Sequence, residues 1–238
     1  MSNPVREHYE KYPYPSYPLF LLGSWKDLER VDLSRWGLKR EARDLWIVGC
    51  GSVSALMFGR RNPRTRIVAT DLSSASLRRL RMRLWLHGVH NVQVENNDFL
   101  NTEYNNRFDA IDCYGVLHHI EDPKVGLKKL ASSLRLGGVL RLMLYSQSAR
   151  AEIESLRAKV QAEKIDNIKA LIEWLHDGEV SRVGELSSES GLADALLHPL
   201  VHVFDEPTLR ELIDSEKSLE ILKLEEKSNF IITLRKKP

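Results

Sequence analysis

The stretch LWIVGCGSVS, residues 45–54, decides the fold. Its apolar first half predicts a buried strand, two glycines follow, and Ser54 begins an amphipathic stretch that predicts a helix. Gly49 permits a tight turn, and Gly51 lets backbone amides approach a ligand. Because the start of a helix favours a negatively charged group, this segment is predicted to be a strand, a ligand-binding turn and a helix.

The alternation of strand and helix continues along the chain. Strands are predicted at 45–50, 66–72, 91–99, 108–117, 139–146, 219–226 and 229–236, and helices at 54–61, 74–88, 123–134 and 206–215. Only Lys227 and Ser228 separate the last two strands, which predicts an antiparallel hairpin. The predicted fold class is therefore α/β, with a Rossmann-like, doubly wound, seven-stranded sheet that is mostly parallel and has one antiparallel C-terminal strand.

Two segments add to this domain, which is predicted to span residues 44–238. Residues 1–43 form an arm whose first 18 residues hold four of the nine prolines and four of the seven tyrosines. An extended or turn-rich conformation is predicted there, packed on the core as a strap or covering a site. Residues 150–195 are predicted to be a helical insertion that ends in a polar loop, 181–195, after the fifth strand.

Composition excludes several classes of protein. The 238 residues are 42% hydrophobic and 29% charged, with a formal net charge of +2, which is typical of a globular domain rather than a disordered or fibrous chain. The two cysteines, Cys50 and Cys113, lie in apolar runs far apart, and this favours a reducing compartment over a disulfide framework. No apolar run reaches the ~18 residues of a membrane helix, and no signal-peptide pattern is present, so a cytoplasmic protein is predicted.

Residues 60–83 contain eight arginines and one acid, Asp71. Such a stretch raises the possibility of a nucleic-acid partner. However, Leu77, Leu80, Leu84 and Trp85 recur at helical spacing, which predicts that most of the arginines lie on the solvated face of an amphipathic helix.

Asp71 suggests what the glycine turn binds. It follows the second predicted strand, 22 residues after Gly49, where a carboxylate can accept hydrogen bonds from two ribose hydroxyls. A nicotinamide dinucleotide site usually has Gly or Ala at the third glycine position, close to the pyrophosphate, whereas this chain has Ser54. An adenosine-type ligand without a pyrophosphate is therefore favoured, and the alternative is a glycine turn without a ligand.

Five motifs now occur in order: LWIVGCGSV, ATDLS, NNDF, FDAIDCYGVLHHIEDP and LRLGGVLRLMLYS. This ordered set resembles the class I S-adenosylmethionine-dependent methyltransferases, in their broad small-molecule branch. The resemblance covers about residues 44–146 and the closing hairpin, and the arm sequence YEKYPYP is similar to a motif that precedes the core in some bacterial methyltransferases. Val53 departs from the pattern, because the family usually has glycine there.

The resemblance implies S-adenosylmethionine as cofactor and S-adenosylhomocysteine as product. The implied cofactor contacts are Gly49, Cys50 and Gly51 for the methionine moiety, Asp71 for the ribose, Leu72, Asn97, Asp98 and Phe99 for the adenine, and Tyr114 and Gly115 near the sulfonium. Tyr9 and Tyr14 are further candidates if the arm covers the cofactor. Asp98 has an alternative role as a turn residue after a strand.

Histidines are the candidates for catalysis. His118 and His119 follow the fourth predicted strand and could act as a general base, or they could only shape the loop. Methyl transfer depends mainly on alignment of the reacting groups, so a base is not required. His198 and His202 have a metal-like spacing, but Pro199 opposes an interior helix and no third ligand cluster is evident, so no metal is predicted.

The sequence thus predicts an enzyme, a methyltransferase that acts on a small-molecule acceptor, with the arm, the insertion and residues 198–207 forming a lid over the acceptor. The first alternative is an RNA or tRNA methyltransferase that uses residues 60–83. Alternatives from other classes are a nicotinamide-dependent oxidoreductase and a non-catalytic cofactor-binding protein. The acceptor, its reacting atom and the oligomeric state stay open at this point, and no membrane partner is predicted.

Overall fold

The computed structural model describes residues 3–14, 18–20, 29–175 and 188–238. Its seven-stranded sheet has the order β3-β2-β1-β4-β5-β7-β6. The strands are β1 (Asp44–Val48), β2 (Arg66–Asp71), β3 (Val92–Asn96), β4 (Phe108–Tyr114), β5 (Leu134–Tyr145), β6 (Leu219–Glu226) and β7 (Asn229–Lys236). Strands β1 to β5 pair in parallel with one another, while β7 is antiparallel to both β5 and β6. This confirms the predicted fold class.

Helices cover both faces of the sheet. Within the described residues the α-helices are α1 (Pro4–Lys11), α2 (Ser54–Arg61), α3 (Ser74–Leu86), α4 (Pro123–Ser133), α5 (Gln147–Ala162), α6 (Ile168–Trp174), α7 (Glu189–Leu192) and α8 (Glu206–Asp214). A π-helical turn, Ala193–Leu197, continues α7, and short 3-10 turns occur at Leu33–Arg35, Phe99–Asn101 and Leu117–His119.

The buried strands supply side chains to two cores. Successive residues of β1 point to opposite faces, so Trp46 packs in one core with side chains of α4 and α8, while Ile47 packs in the other with side chains of α2 and α3. The insertion has a smaller core of its own, which includes Ile153, Val160 and Leu171. Burial on both faces explains why β1 reads as a continuous apolar run.

Strand β5 begins earlier than predicted. The sequence placed its start at Val139, after a glycine turn, but the strand already pairs at Leu134, opposite Phe108. The pairing register shifts between Phe108 and Ala110, and Gly137 has φ 74°. The glycine pair therefore forms an irregularity inside the strand, since glycine tolerates the positive φ that this requires.

The arm is not extended as predicted, because its first part is helix α1. Asn3 caps this helix by accepting the Arg6 amide at 3.0 Å, and Pro4 occupies the first turn, where its missing N–H costs nothing. The other prolines of the arm follow the helix, so the proline count misled the prediction. Residues 15–17 of the arm lie outside the described residues.

Helix α3 buries Leu77, Leu80 and Leu84 as predicted, but not Trp85. Trp85 is 79% exposed, whereas Arg83 is fully buried. The Arg83 guanidinium donates to the carbonyl oxygens of Pro18 and Leu19, at 2.7 and 3.1 Å. These hydrogen bonds help to satisfy the buried guanidinium, while Trp85 on the same helix lies at the surface.

The insertion differs from its prediction at the end. The predicted polar loop falls partly on residues 181–187, which lie outside the described residues, but Glu189–Leu192 and Ala193–Leu197 are helical. Ser188 caps this segment by accepting the Gly191 amide. None of the described helices has both the length and the hydropathy of a membrane span.

Candidate functional site

Four loops meet at one edge of the sheet. The parallel strands β3, β2, β1 and β4 are neighbours in that order, so their carboxyl ends lie side by side. The strand order reverses between β1 and β4, and open α/β sheets bind ligands at such a point. The sequence-predicted contacts in these loops are therefore on adjacent elements.

The loop between β1 and α2 has the geometry expected of a ligand-binding turn. Gly49 and Gly51 have φ of 61° and 54°, a region that side-chain-bearing residues rarely adopt. Cys50 is buried between them, and its amide donates to the Thr70 carbonyl at 3.1 Å. Val53 has φ −142°, so this position does not require the glycine usual in the family. No side chain caps α2, which leaves its first amides directed at the loop.

Asp71 joins the glycine loop to the end of β2. Its carboxylate accepts the Gly51 amide at Oδ2 and the Ser73 amide at Oδ1, both at 2.8 Å. Burial raises the pKa of Asp71, and these two hydrogen bonds oppose that rise. A carboxylate has about four lone-pair sites, so each oxygen retains capacity for a hydroxyl donor. This geometry fits the ribose role.

The β3 loop lies beside Asp71. The Asn97 amide donates to the Asp71 carbonyl at 3.2 Å, and Asn96 caps the same turn by donating to the Leu72 carbonyl at 3.0 Å. Asp98 accepts the Leu100 amide at 3.0 Å, which is the turn role considered as its alternative. Its other oxygen accepts no hydrogen bond from the described residues of this turn. The turn role therefore leaves that oxygen available for the adenine contact.

Phe99 and the β4 loop complete this edge. Phe99 is buried, and its ring lies 6.4 Å from that of Trp46, centroid to centroid. Tyr114 ends β4 with its ring 5.1 Å from the Arg141 guanidinium. Gly115 has φ 79°, and its amide donates to the Met143 carbonyl at 3.3 Å.

Helix α1 packs against this edge. The carbonyl of Tyr9 accepts the Ser73 hydroxyl at 3.1 Å, two residues from Asp71. Glu10 accepts the amides of Ser74 and Ala75, and so caps α3. The Tyr9 hydroxyl donates to Asp194 in the insertion at 2.9 Å. Helix α1 therefore links the edge of the sheet at Asp71 to the insertion. Tyr14 is half-buried beyond the end of this helix.

His118 and His119 are both buried. The rings lie 4.2 Å apart, and His118 stacks on Tyr145 at 3.7 Å. Nδ1 of His119 lies 2.9 Å from the Leu200 carbonyl oxygen. Burial, first, then neighbouring His119 and Arg150, lowers the pKa of His118 well below its ordinary value, and burial lowers the pKa of His119 to about 3. Both imidazoles are neutral at pH 7 and are weak proton acceptors.

The structure adds residues that the sequence interpretation missed. His8 lies on α1 with its ring 4.8 Å from that of His198, and Tyr145, Arg150 and Asp194 surround the same region. His8 and Tyr12 are four residues apart and therefore share a face of α1. The sequence would have indicated this if the segment had been predicted to be a helix. Asp194 lies in an apolar stretch, and nothing in that pattern marked it.

His198 and His202 point to different partners. The His198 ring lies 3.8 Å from the His119 ring, whereas Nε2 of His202 lies 3.0 Å from the Ile120 carbonyl oxygen. In the ranges that the structure describes, no three His, Cys, Asp or Glu side chains are arranged to hold a metal ion.

The buried histidines predict that acid destabilises the protein. Burial lowers the pKa of His8 from 6.5 to about 4 and that of His119 from 6.5 to about 3. Between pH 6.5 and these values the unfolded chain binds protons that the folded chain excludes, so stability falls as the pH falls. We expect the free energy of unfolding to drop by about 1.6 kcal/mol for each of these histidines between pH 6.5 and 5.

Urea unfolding at pH 7, 6 and 5 measures this dependence. The variants His8→Phe and His119→Phe should each show a shallower pH dependence than the wild type. Exposed His90 provides a matched control, because His90→Phe should keep the wild-type slope. Parallel slopes for all four proteins would contradict the expectation.

Parts of the chain are similar to known proteins. Residues 46–140 match a family model described as a methyltransferase domain. An uncharacterized protein of Synechococcus sp. is 38% identical over 117 residues, which is 47% of this chain and 28% of that protein. A tRNA U34 carboxymethyltransferase of Nautilia profundicola is 26% identical over 187 residues, which is 74% of this chain and 60% of that enzyme. The chain thus spans less than two thirds of either relative.

A solved structure shows the same fold over the whole chain. It is the 1,6-didemethyltoxoflavin-N1-methyltransferase of Burkholderia thailandensis, with 1,6-didemethyltoxoflavin and S-adenosylhomocysteine bound. The TM-score is 0.62 at 14% identity, over 100% of this chain and 92% of that one. The domain match covers less than half of the chain, and the structural likeness shows that the chain has the same overall fold as this methyltransferase.

Proposed function

We propose that this protein transfers a methyl group from S-adenosylmethionine to a small-molecule acceptor. When bound, this cofactor supplies an electrophilic methyl group on a sulfonium. The glycine loop and Asp71 would hold it, and the residues after β4 would face the reacting end. Ser54 in place of a third glycine favours this cofactor over the nicotinamide alternative, because a dinucleotide pyrophosphate needs closer approach to the helix.

The observation that carries the small-molecule acceptor is the position of helix α1. Tyr9 binds Ser73 beside the cofactor edge through its backbone and Asp194 of the insertion through its side chain. The Tyr12 hydroxyl also accepts the Ile168 amide of α6 at 3.3 Å. We therefore propose that α1 and the insertion form a lid over the acceptor, and an enclosed acceptor space suits a small molecule better than a polymer.

Within this enclosed space the residues of the chain act mainly by positioning. The neutral imidazoles of His118 and His119 are poorly suited to remove a proton, because burial disfavours their charged forms. Alignment and exclusion of water then account for most of the rate enhancement, as methyl transfer requires. A general-base role for either histidine is the weaker interpretation.

One observation supports an RNA acceptor as a second candidate. On α3, Arg78 and Arg81 are exposed on the same helix as Trp85. Exposed arginines bind phosphates, and an exposed tryptophan can stack on a base. The tRNA-modifying relative from Nautilia profundicola makes this candidate worth testing.

The two candidates differ in their binding of RNA. For a small-molecule enzyme we expect only weak binding of mixed tRNA, which disappears as the salt concentration rises from about 50 to 200 mM. Fluorescence anisotropy with labelled tRNA measures it, and Trp85→Ala tests the stacking residue against Trp174→Ala, a half-buried tryptophan of the insertion. Saturable binding at the higher salt concentration that Trp85→Ala removes would favour the RNA candidate.

A further inference from the structure

Four histidine rings form a buried cluster beside the cofactor edge. We call His8, His118, His119 and His198 the histidine cluster. Its ring centroids are separated by 4.2 Å between His118 and His119, 3.8 Å between His119 and His198, and 4.8 Å between His198 and His8. Three separate segments supply these rings: α1, the turn after β4 and the segment after the π-helical turn. Such convergence of distant segments is typical of a binding site.

Several nitrogen atoms of the cluster are buried without a hydrogen-bond partner among the described residues. They are Nε2 of His8, Nδ1 and Nε2 of His118, and Nε2 of His198. His118 is fully buried and has neither nitrogen satisfied. Native proteins pair nearly all buried polar atoms, so a group of four unpaired nitrogens points to a polar ligand.

The charged groups around the cluster are Arg150, Glu154, whose Oε1 lies 3.7 Å from Nε of Arg150, and Asp194, which accepts the Tyr9 hydroxyl. Of these, Arg150 acts on His118 and favours a negatively charged oxygen there. The Arg150 guanidinium lies 3.6 Å from the centre of the Tyr145 ring, and His118 stacks on that ring. This positive charge contributes to the lowered pKa of His118, after burial and His119. A neutral imidazole still donates one N–H, so the cluster offers donors near a fixed positive charge. The same charge disfavours a cationic amine.

The cluster adjoins the place where a methyl group would be transferred. His118 follows Gly115 by three residues, at the carboxyl end of β4. The Tyr9 ring lies 5.4 Å from that of His198 and 6.4 Å from that of His119, and the Tyr9 carbonyl binds Ser73 beside Asp71. Tyr9 therefore lies between the cofactor edge and the cluster.

We propose that the histidine cluster binds the methyl acceptor through a phenolate or enolate oxygen, with His118 and His198 as hydrogen-bond donors and Arg150 as the stabilising charge. This inference rests on the proposed function, and it assigns that function's acceptor to a chemical class. An acceptor bound as an oxyanion needs no general base, which agrees with imidazoles that are neutral and weakly basic.

The test uses the full chain saturated with S-adenosylhomocysteine and probes of one shape that differ in one group. The probes are 4-nitrophenol, 4-nitroaniline and 4-nitroanisole at pH 8, with binding followed by absorbance and equilibrium dialysis. We expect 4-nitrophenol to bind roughly tenfold or more tightly than the other two, since only it supplies an oxyanion. Its bound form should also remain the phenolate to a lower pH than in free solution.

Variants locate the binding. His118→Phe keeps the ring on Tyr145 but removes both nitrogens, and we expect it to abolish the preference for 4-nitrophenol. Arg150→Met should weaken the phenol and leave 4-nitroanisole unchanged, which a purely structural role would not produce. His90→Phe, at an exposed site, is the matched control. Affinity for S-adenosylhomocysteine and the thermal melting curve show that each variant is folded.

The outcomes distinguish a failure of the proposed function from a failure of the oxyanion site. If S-adenosylhomocysteine does not bind to the wild type, the proposed function fails before acceptor chemistry is reached. If it binds but 4-nitrophenol shows no preference over 4-nitroaniline, or does not bind at all, the oxyanion site is wrong. Unchanged phenol binding in His118→Phe would also overturn it.

Discussion

Replacing Asp71 by alanine is expected to weaken the binding of S-adenosylhomocysteine by about 2–3 kcal/mol, or roughly a hundredfold. The substitution removes a buried carboxylate that would accept two ribose hydroxyls. It also removes the acceptor of the Gly51 and Ser73 amides, so the glycine loop loses its link to β2. Isothermal titration calorimetry of the wild type and the variant measures the difference.

Two further variants make this result specific. Asp71→Asn keeps one oxygen acceptor but turns an amide donor towards a backbone N–H, so an intermediate loss is expected. Asp214→Ala removes an exposed carboxylate at the end of α8 and should leave the affinity unchanged. An Asp71→Ala variant with wild-type affinity would mean that the ribose is held elsewhere.

Replacing Gly49 by alanine is expected to lower the free energy of unfolding by about 2–4 kcal/mol. A Cβ atom at this position would lie 2.3 Å from Cγ2 of Val116, and φ is 61°. The strain of a positive φ accounts for about 1 kcal/mol, and the steric clash with a partly buried valine accounts for the rest. Urea unfolding gives the stability, and the same preparation gives the affinity for S-adenosylhomocysteine, which should also fall.

The chain contains a matched control for the strain alone. Gly88 has φ 63° and open space around its would-be Cβ, so Gly88→Ala should cost only about 1 kcal/mol. Adding Val116→Ala to Gly49→Ala should restore part of the stability by removing the clash. Equal losses in Gly49→Ala and Gly88→Ala would show that the close approach to Val116 is unimportant.

Strands β1 and β4 were predictable because they are buried on both faces. β6 and β7 have the bounds that the sequence indicates, since a two-residue connection leaves little freedom. The features that the sequence did not predict depend on tertiary contacts. Helix α1 was hidden by prolines that follow it, and the burial of Arg83 involves carbonyl groups of the arm that no local pattern in the helix indicates.

The candidate site also contains residues that local patterns predict and residues that only tertiary contacts bring together. The cofactor loops follow from local patterns, in which glycines and an acid occur at fixed positions after strands. The histidine cluster combines residues that are up to 190 positions apart, from His8 to His198, and no local pattern brings them together. Asp194 was invisible for the same reason, because only the docking of Tyr9 gives it a partner in the arm.

The most direct test of the account is a calorimetric titration of the purified protein with S-adenosylhomocysteine and, in parallel, with NAD and NADH. We expect saturable binding of S-adenosylhomocysteine at one site per chain and no binding of either nicotinamide nucleotide. Binding of NAD or NADH in its place would contradict the assignment of the glycine loop and Asp71 to S-adenosylmethionine.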